Sequence, residues 1–558
     1  MKRRSLFAGL GALVALAMVL AACAPAGPPR PYAEVKYSEP MVLDAGNCDY
    51  GGLMRSVKAL DQYTVEFTMC QPDPAFLQKM AFDVFGIYPQ EWLEYESKAD
   101  TPAEVRLRSP VGTGPYQVTQ WTAGESLTFT RFDNYLGEAA KAKTLVFRWS
   151  AESAARTLEL QAGTVNGIDN PGPDDFAVIK GDPNLQLIDR AALNIFYIAM
   201  TNTFEPFDDV NVRKAIAMGI DRQRIVDTFY PAGSVVATHF TPCEIPNGCD
   251  GDPWYNFDPT AAKQLLADAG FPDGFSTKLF YRDVVRGYLP EVGRVAEEIQ
   301  SQLKQNLNID AQIEVMESGA FIEESGAGRL DGLYLLGWGA DYPHITNFLD
   351  FHFGEANPQF GNPFPEIYDL LKQGAAIADP AQATAIYTQA NNAIRELVPM
   401  VPVAHGASAA AYRADVGTPQ ASPLTEERFA FTSPGSGDTL VFMQNAEPIS
   451  LFCADETDGE SLRGCTQVVE GMYAYPPNEA VPEPALATSC DPNADLSVWT
   501  CHLRQGVKFH DGTSFDANDV VATFTMGLDA SSPLHVGNTN AWEYYSYLWT
   551  SLMNLPPG

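Results

Sequence analysis

At 558 residues the chain is long enough to bury two large cores, so more than one lobe is expected, and its 46% hydrophobic content excludes a mainly disordered protein. Its 70 acidic side chains against 36 basic ones leave a formal charge of −34. A surface of that sign repels phosphate backbones, and no basic tract compensates, which argues against nucleic acid as a partner.

Lys2, Arg3 and Arg4 precede an apolar run from Leu6 to Leu20 and the small residues Ala21 and Ala22, the order of an export signal. The ending LAAC resembles a bacterial lipoprotein processing box, which implies Cys23 as the lipidated first residue of the mature chain. One acyl chain binds a membrane only reversibly, so a multiply acylated cysteine would supply the anchor. Residues 24–34, rich in Ala, Gly and Pro, read as a flexible tether. Cys48, Cys70, Cys243, Cys249, Cys453, Cys465, Cys490 and Cys501 remain, and an even set in an exported chain reads as disulfides. Nearest-neighbour pairing is the simplest arrangement, each bridge contributing roughly 2 to 3.5 kcal/mol on the loop-entropy model. None forms CxxC, so thiol exchange and zinc knuckles lack their signature.

From Val57 the pattern becomes structural. Tyr63, Val65 and Phe67 alternate with polar residues as in a half-buried strand, and PAFLQKMAF follows as a short helix. GTGPY, containing Gly112, Gly114 and Pro115, feeds a hairpin marked by Val118, Leu127 and Phe129; neither GxGxxG nor GxxxxGK[ST] is present, so a phosphate cradle has little support. Val212, Ile216, Ile220, Ile225 and Val226 recur at helical spacing. A clear α/β unit follows. It comprises a strand at Lys278–Tyr281, a loop holding Arg286, Pro290 suited to a first helical turn, a helix with Val292, Val295, Ile299 and Leu303 on one face, and a strand carrying Ile309, Ala311, Ile313 and Val315.

Leu330 to Leu336 then reads as a strand covered on both faces. Gly337 and Gly339 bracket Trp338, and Asp341 follows, so an aromatic surface and a carboxylate leave the strand's C-terminal end together. Ligands of α/β sheets collect at such ends, and this pair suits an ammonium group. Asp379 and Pro380 open another helix, with Ile386, Ala390, Ile394 and Leu397 as its expected buried stripe, and MVPVAH returns the chain to the first lobe. Toward the end, Asp516 is placed to cap a helix with Asp519 three positions on, and the aromatic stretch from Trp542 to Trp549 reads as core or as cleft lining, with core preferred.

GWGADYPHITNFL resembles a segment of the bacterial dipeptide and oligopeptide permease substrate-binding lipoproteins, solute-binding protein family 5; GTGPY and PFDDVNVRKAIAMGIDR resemble further parts of that family. The resemblance implies an α/β, two-lobed periplasmic-binding-protein-like fold with a hinge and an interlobe cleft that closes on a short peptide. In the family the aspartate matching Asp341 pairs with the ligand's α-amino group, which makes Trp338, Gly339, Ala340 and Tyr342 its expected neighbours. Arg286 resembles the family arginine in RPY that binds a free carboxylate, although Gly287 stands where the family has proline. His344 and Thr346 replace residues that are often Asp in the family pattern DYPDPDNF.

The last third resembles the family's beginning. DTLVFMQNAEPISL, VVEGMYAY and VWTCHLRQGVKFHDGTSFDANDVVATFTMGL occur in the family's order but after its usual end, as though the chain were circularly permuted with FTSPGSGDTL joining the old termini. The expected organisation is a signal with lipidated Cys23 over 1–23, a tether over 24–34, one lobe over 35–200 and 405–558, and the other over 201–404. The chain would be extracytoplasmic, lipid-anchored and monomeric, would hand cargo to the transmembrane subunits of an ABC permease, and would need no cofactor.

Other readings have weaker footing. Neither GxSxG nor HExxH supports an exported hydrolase. Asp341, His344, Asp350, His352 and Glu355 lie close in sequence without a fixed ligand geometry, so no metal site is assigned, while a nickel complex or an oligosaccharide stays open as cargo. A purely structural surface lipoprotein would need no polar cleft.

Overall fold

The structure is a computed structural model that describes residues 30–355, 357–361 and 364–555. The export signal and Cys23 lie outside the described residues; among those described, no helix is long and apolar enough to cross a membrane.

Three sheets organise the molecule. Edge to edge, the first contains Val42–Asp44, Met54–Asp61, Thr64–Met69, Val498–Leu503 and Ala487–Pro492. The second contains Tyr116–Thr122, Ser126–Arg131, Thr144–Trp149, Thr439–Gln444, Gly167–Asp169, Ser408–Arg413 and Leu185–Arg190. These two, with helices around them, make one lobe of a two-domain α/β fold. The other lobe is built on Val235–Val236, Met400–His405, Asn194–Met200, Leu333–Gly339, Ser276–Arg282 and Asp310–Met316.

The last third of the chain is woven into the first lobe. Thr439–Gln444 runs parallel between two strands of the N-terminal part, with Thr439 opposite Thr144 and Phe442 opposite Gly167. Val498–Leu503 pairs antiparallel with Thr64–Met69 of the N-terminal part on one side and with Ala487–Pro492 on the other. Between the lobes the chain crosses at residues 191–193, a little earlier than the position near 200 expected from sequence. The segment Asn194–Met200 is buried along its whole length between Leu333–Gly339 and Met400–His405, and such a doubly covered strand is apolar throughout whichever lobe owns it. The return crossing is Gly406 and Ala407, between Met400–His405 and Ser408–Arg413.

Local signals act as the residues dictate. The helix Val292–Leu307 begins two residues after Pro290 and buries Val292, Val295, Ile299 and Leu303. Asp379 caps Pro380–Leu397 by accepting from Ala381 N, but the buried face is Ala383, Tyr387, Ala390 and Ile394, rotated from the expected stripe so that Ile386 and Leu397 are only half-buried. Asp516 and Asp519 form a reciprocal capping box at the start of Ala517–Leu528. At Gly112 a Cβ would lie 2.1 Å from Val468 O, so the glycine of GTGPY serves close backbone packing. The cysteines pair as Cys48–Cys70, Cys243–Cys249, Cys453–Cys465 and Cys490–Cys501, the nearest-neighbour arrangement.

Candidate functional site

The cleft between the lobes has an empty volume of about 1310 Å³, counted to include solvent at its mouth. Both residues singled out as anchors, Asp341 and Arg286, line it, together with Trp338 and Gly339. Ala340 and Tyr342 do not. Ala340 N donates to Leu193 O at 2.8 Å, and the fully buried Tyr342 meets Thr346 Oγ1 at 3.3 Å, so both are packed in the core.

Gly337 explains how the strand Leu333–Gly339 delivers this surface. A Cβ there would come within 2.3 Å of Ile195 O and 2.4 Å of the Tyr288 ring, so only glycine allows the two elements to meet. Trp338 then stacks on Phe351 with centroids 4.1 Å apart and donates its Nε1–H to Asn347 Oδ1 at 3.2 Å. Asp341 is 8% exposed. Its Oδ2 accepts from Asn347 Nδ2 at 2.8 Å, and its Oδ1 accepts from Tyr544 OH at 2.9 Å. Burial pushes the carboxyl up to about 7, against the two hydrogen bonds that hold it down. A bound ammonium would reverse that shift.

Tyr544 belongs to the opposite lobe, in the aromatic stretch that the sequence left between core and cleft without singling out a residue. The helix Glu543–Leu548 splits the aromatic stretch: Tyr545, Leu548 and Trp549 are in the core, whereas Tyr544 and Tyr547, three positions apart, line the cleft together with Glu543. The signal is the i, i+3 spacing, hidden because aromatic residues stand on both the core face and the cleft face of this short helix.

Arg286 sits in the tight turn that pairs it with Leu289. Its guanidinium crosses to the other lobe, with Nη1 donating to Glu460 Oε1 at 2.8 Å and Nη2 to Asp458 Oδ1 at 3.1 Å. Burial works against its charge, but Glu460 and Asp458 outweigh it and hold the guanidinium above its ordinary value. Glu460 itself is raised by burial to about 7 despite Arg286. A Cβ at Gly287 would lie 2.9 Å from Ser408 Oγ, so this loop packs directly on the return crossing. Behind it, Arg190 and Arg463 alternate with Asp169 and Glu427 in a closed buried ring, with ion pairs of 2.7 to 2.9 Å.

His344 caps the helix Ile345–Phe353 by accepting from Thr346 N, and burial lowers its imidazole to about 4. His352 gives its Nδ1 to Phe348 O at 2.7 Å and is lowered to about 3. Both are neutral in the core near neutrality. Among the described residues no three His, Cys, Asp or Glu side chains gather as a metal site.

The model for bacterial extracellular solute-binding proteins, family 5 middle, matches residues 28–360 and 481–542. The dipeptide-binding protein of Escherichia coli is 29% identical over 382 residues, which cover 68% of this chain and 71% of that protein. Heme-binding protein A of Haemophilus influenzae is 30% identical over 359 residues, 63% of this chain and 65% of that one. The crystal structure of a dipeptide-binding protein from Pseudoalteromonas sp. SM9913 in complex with Met-Leu superposes with a TM-score of 0.61 at 27% identity, covering 66% of this chain and 73% of that one.

Proposed function

The chain belongs to family 5 of the bacterial extracellular solute-binding proteins, and from that premise we propose that it captures short peptides outside the cytoplasmic membrane and passes them intact to an ABC permease. The observation that carries this reading is Asp341: a carboxylate with no arginine or lysine partner among the described residues, beside Trp338 and steadied by Asn347 and Tyr544. A peptide's ammonium group supplies the missing counter-charge, while Trp338 covers the adjacent carbons. In this reading Arg286 takes the peptide's carboxylate in exchange for part of its pairing with Asp458 and Glu460. Because those two acids belong to the opposite lobe, cargo binding and hinge closure share one set of charges. Peptide ligands named for several relatives support the same cargo class. Attachment to the membrane through lipidated Cys23, delivery to permease subunits and a monomeric state belong to this proposal.

The test uses protein starting at Ala24. Mass spectrometry under native and then denaturing conditions should release intact short peptides; products of cleavage, or no ligand, would overturn the reading. By calorimetry, Asp341→Asn should weaken peptides with a free amine roughly tenfold to hundredfold, the range for a lost hydrogen bond between charged groups. N-acetylated peptides should be nearly indifferent, and equal losses for both would remove the amine contact. Arg286→Met should discriminate likewise against free-carboxylate over amidated peptides.

We further propose that the permuted order is genuine. The E. coli relative shares 71% of its length with 68% of this chain, so about a third of each is left over from one collinear comparison. Supporting it, Leu53 N donates to Trp549 O at 2.7 Å, which puts an early and a late segment of the described chain side by side. The joining segment is an exposed turn with Gly435 and Gly437 at φ +81° and +76°. Trypsin should yield one peptide from Phe429 to Arg463 spanning the junction in protein isolated from its native source; its absence, with both flanks recovered separately, would overturn the order.

A further inference from the structure

The cleft contains a cation that no described carboxylate neutralises. Four arginines line it: Arg190, Arg282, Arg286 and Arg463. Arg190 and Arg463 share Asp169 and Glu427, and Arg286 holds Asp458 and Glu460. Arg282 differs. It is 9% exposed, yet its one side-chain hydrogen bond among the described residues runs from Nη1 to Ser318 Oγ at 3.0 Å, and no described carboxylate lies within ion-pairing distance. The nearby Glu317 feels its charge only weakly, since that exposed carboxylate is occupied in capping its own helix through Ala320 N at 3.0 Å.

Position makes this arginine useful. It ends the strand Ser276–Arg282, which runs parallel to Leu333–Gly339 with Phe280 opposite Tyr334. The two neighbouring strands therefore release Arg282 and Asp341 toward the same side of the sheet, the side where α/β ligands bind. Around Arg282 the cleft wall includes Tyr197, Ile322, Ser325 and Gln359. Gln359 Nε2 donates to Tyr197 OH at 2.8 Å, which gives this wall a fixed polar surface. The donors that Arg282 leaves unpaired open on the cleft, where a planar anion can meet them and a carboxylate fits bidentately. Among the described residues, the cleft-lining acids Asp341 and Glu543 and the arginine Arg282 have no ion-pair partner.

Resting on the peptide reading, we propose that Arg282 is a specificity-determining residue that receives a carboxylate of the bound peptide, from an acidic side chain or from the C-terminus. The experiment compares Ala-Glu with Ala-Gln, Glu-Ala with Gln-Ala, and Ala-Ala with its C-terminal amide, by calorimetry on the unaltered protein and on Arg282→Gln. If the carboxylate is a side chain, the unaltered protein should prefer the acid over its amide isostere at one peptide position by roughly tenfold to hundredfold, and Arg282→Gln should abolish that preference while changing Ala-Ala by less than about threefold. If it is the C-terminus, the preference for Ala-Ala over its amide should disappear in Arg282→Gln and survive in Arg286→Met. Arg282→Lys, which keeps the charge, should retain part of either preference and covers a Gln variant that fails to fold. An unaltered protein that binds peptides but shows none of these preferences overturns the proposal, as does a preference unmoved by both Arg282 variants. Failure to bind any of these peptides instead overturns the peptide reading, and this inference with it.

Discussion

A C-amidated peptide with a free amine should bind with a pH profile written by Asp341. Amidation removes the ligand carboxylate, so Glu460, which also titrates near 7 beside Arg286, drops out of direct competition. With the Asp341 carboxyl at about 7, about half of the empty sites carry the charge at pH 7, about a tenth at pH 6 and about a hundredth at pH 5. Affinity should therefore fall roughly fiftyfold between pH 7 and 5. At the other end the peptide's α-amine loses its proton above about 8, so binding peaks between about 7 and 8. Glu543 faces the same cleft and is raised by burial to about 7, so its protonation below that steepens the fall for any cation. Calorimetry at half-unit intervals, with Asp341→Asn and an N-acetylated peptide as controls, isolates the aspartate. Asp341→Asn should flatten most of the slope. A slope equally steep in that variant, or for the acetylated ligand, would refute the assignment of the amine to Asp341.

Tyr544→Phe removes the hydrogen bond that holds Asp341 down, so the midpoint of that profile should move to higher pH and free-amine peptides should weaken severalfold at pH 7; an unmoved midpoint would detach Tyr544 from the site. Glu460→Gln leaves Arg286 with Asp458 alone, which should widen the preference for free-carboxylate over amidated peptides, and a narrowed preference would count against the proposed role of Arg286. Ligand-free stability should fall from about pH 6.5 to 8, above the range in which the buried neutral His344 and His352 push the other way. Burial raises Glu96, Asp341 and Asp350 to about 7 and Glu456 to about 8, so in this window the folded state binds protons that the unfolded chain has lost. Each such group contributes a slope of up to about 1.4 kcal/mol per pH unit, and scanning calorimetry should show Tm decreasing over the range; a rising Tm would refute it.

Much of this was legible in the sequence because it depends on neighbours in the chain. The buried strand with Trp338 and Asp341 at its end, the helix face of Val292, Val295, Ile299 and Leu303, and the caps at Asp379 and Asp516 follow from local spacing. What escaped depends on contacts between distant segments. Nothing around Glu460 announces that it will meet Arg286, 174 positions away, and nothing around Tyr544 points to Asp341, 203 positions away. Arg282 was invisible for a subtler reason: its distinction is the partner it lacks, which only a census of the folded charges can reveal. The rotated face of Pro380–Leu397 marks the resolution of periodicity itself, since neighbouring stripes of one helix are nearly as apolar as each other.

The described start of the chain is stitched onto the lobe that does not carry Asp341. Tyr32 OH donates to Asp511 Oδ2 at 2.9 Å, Glu34 Oε1 accepts from Ser514 N at 3.1 Å, and Met41 N donates to Asn518 Oδ1 at 2.9 Å. The first described residues are therefore held by the five-stranded sheet and the helix Ala517–Leu528, while the backbone joins that lobe to the six-stranded one only at residues 191–193 and 406–407 among the described residues. Asp341, Trp338, Arg282 and Arg286 all belong to the six-stranded lobe, so the hydrogen bond from Tyr544 to Asp341 and the ion pairs of Arg286 with Asp458 and Glu460 join the cleft walls where the backbone does not.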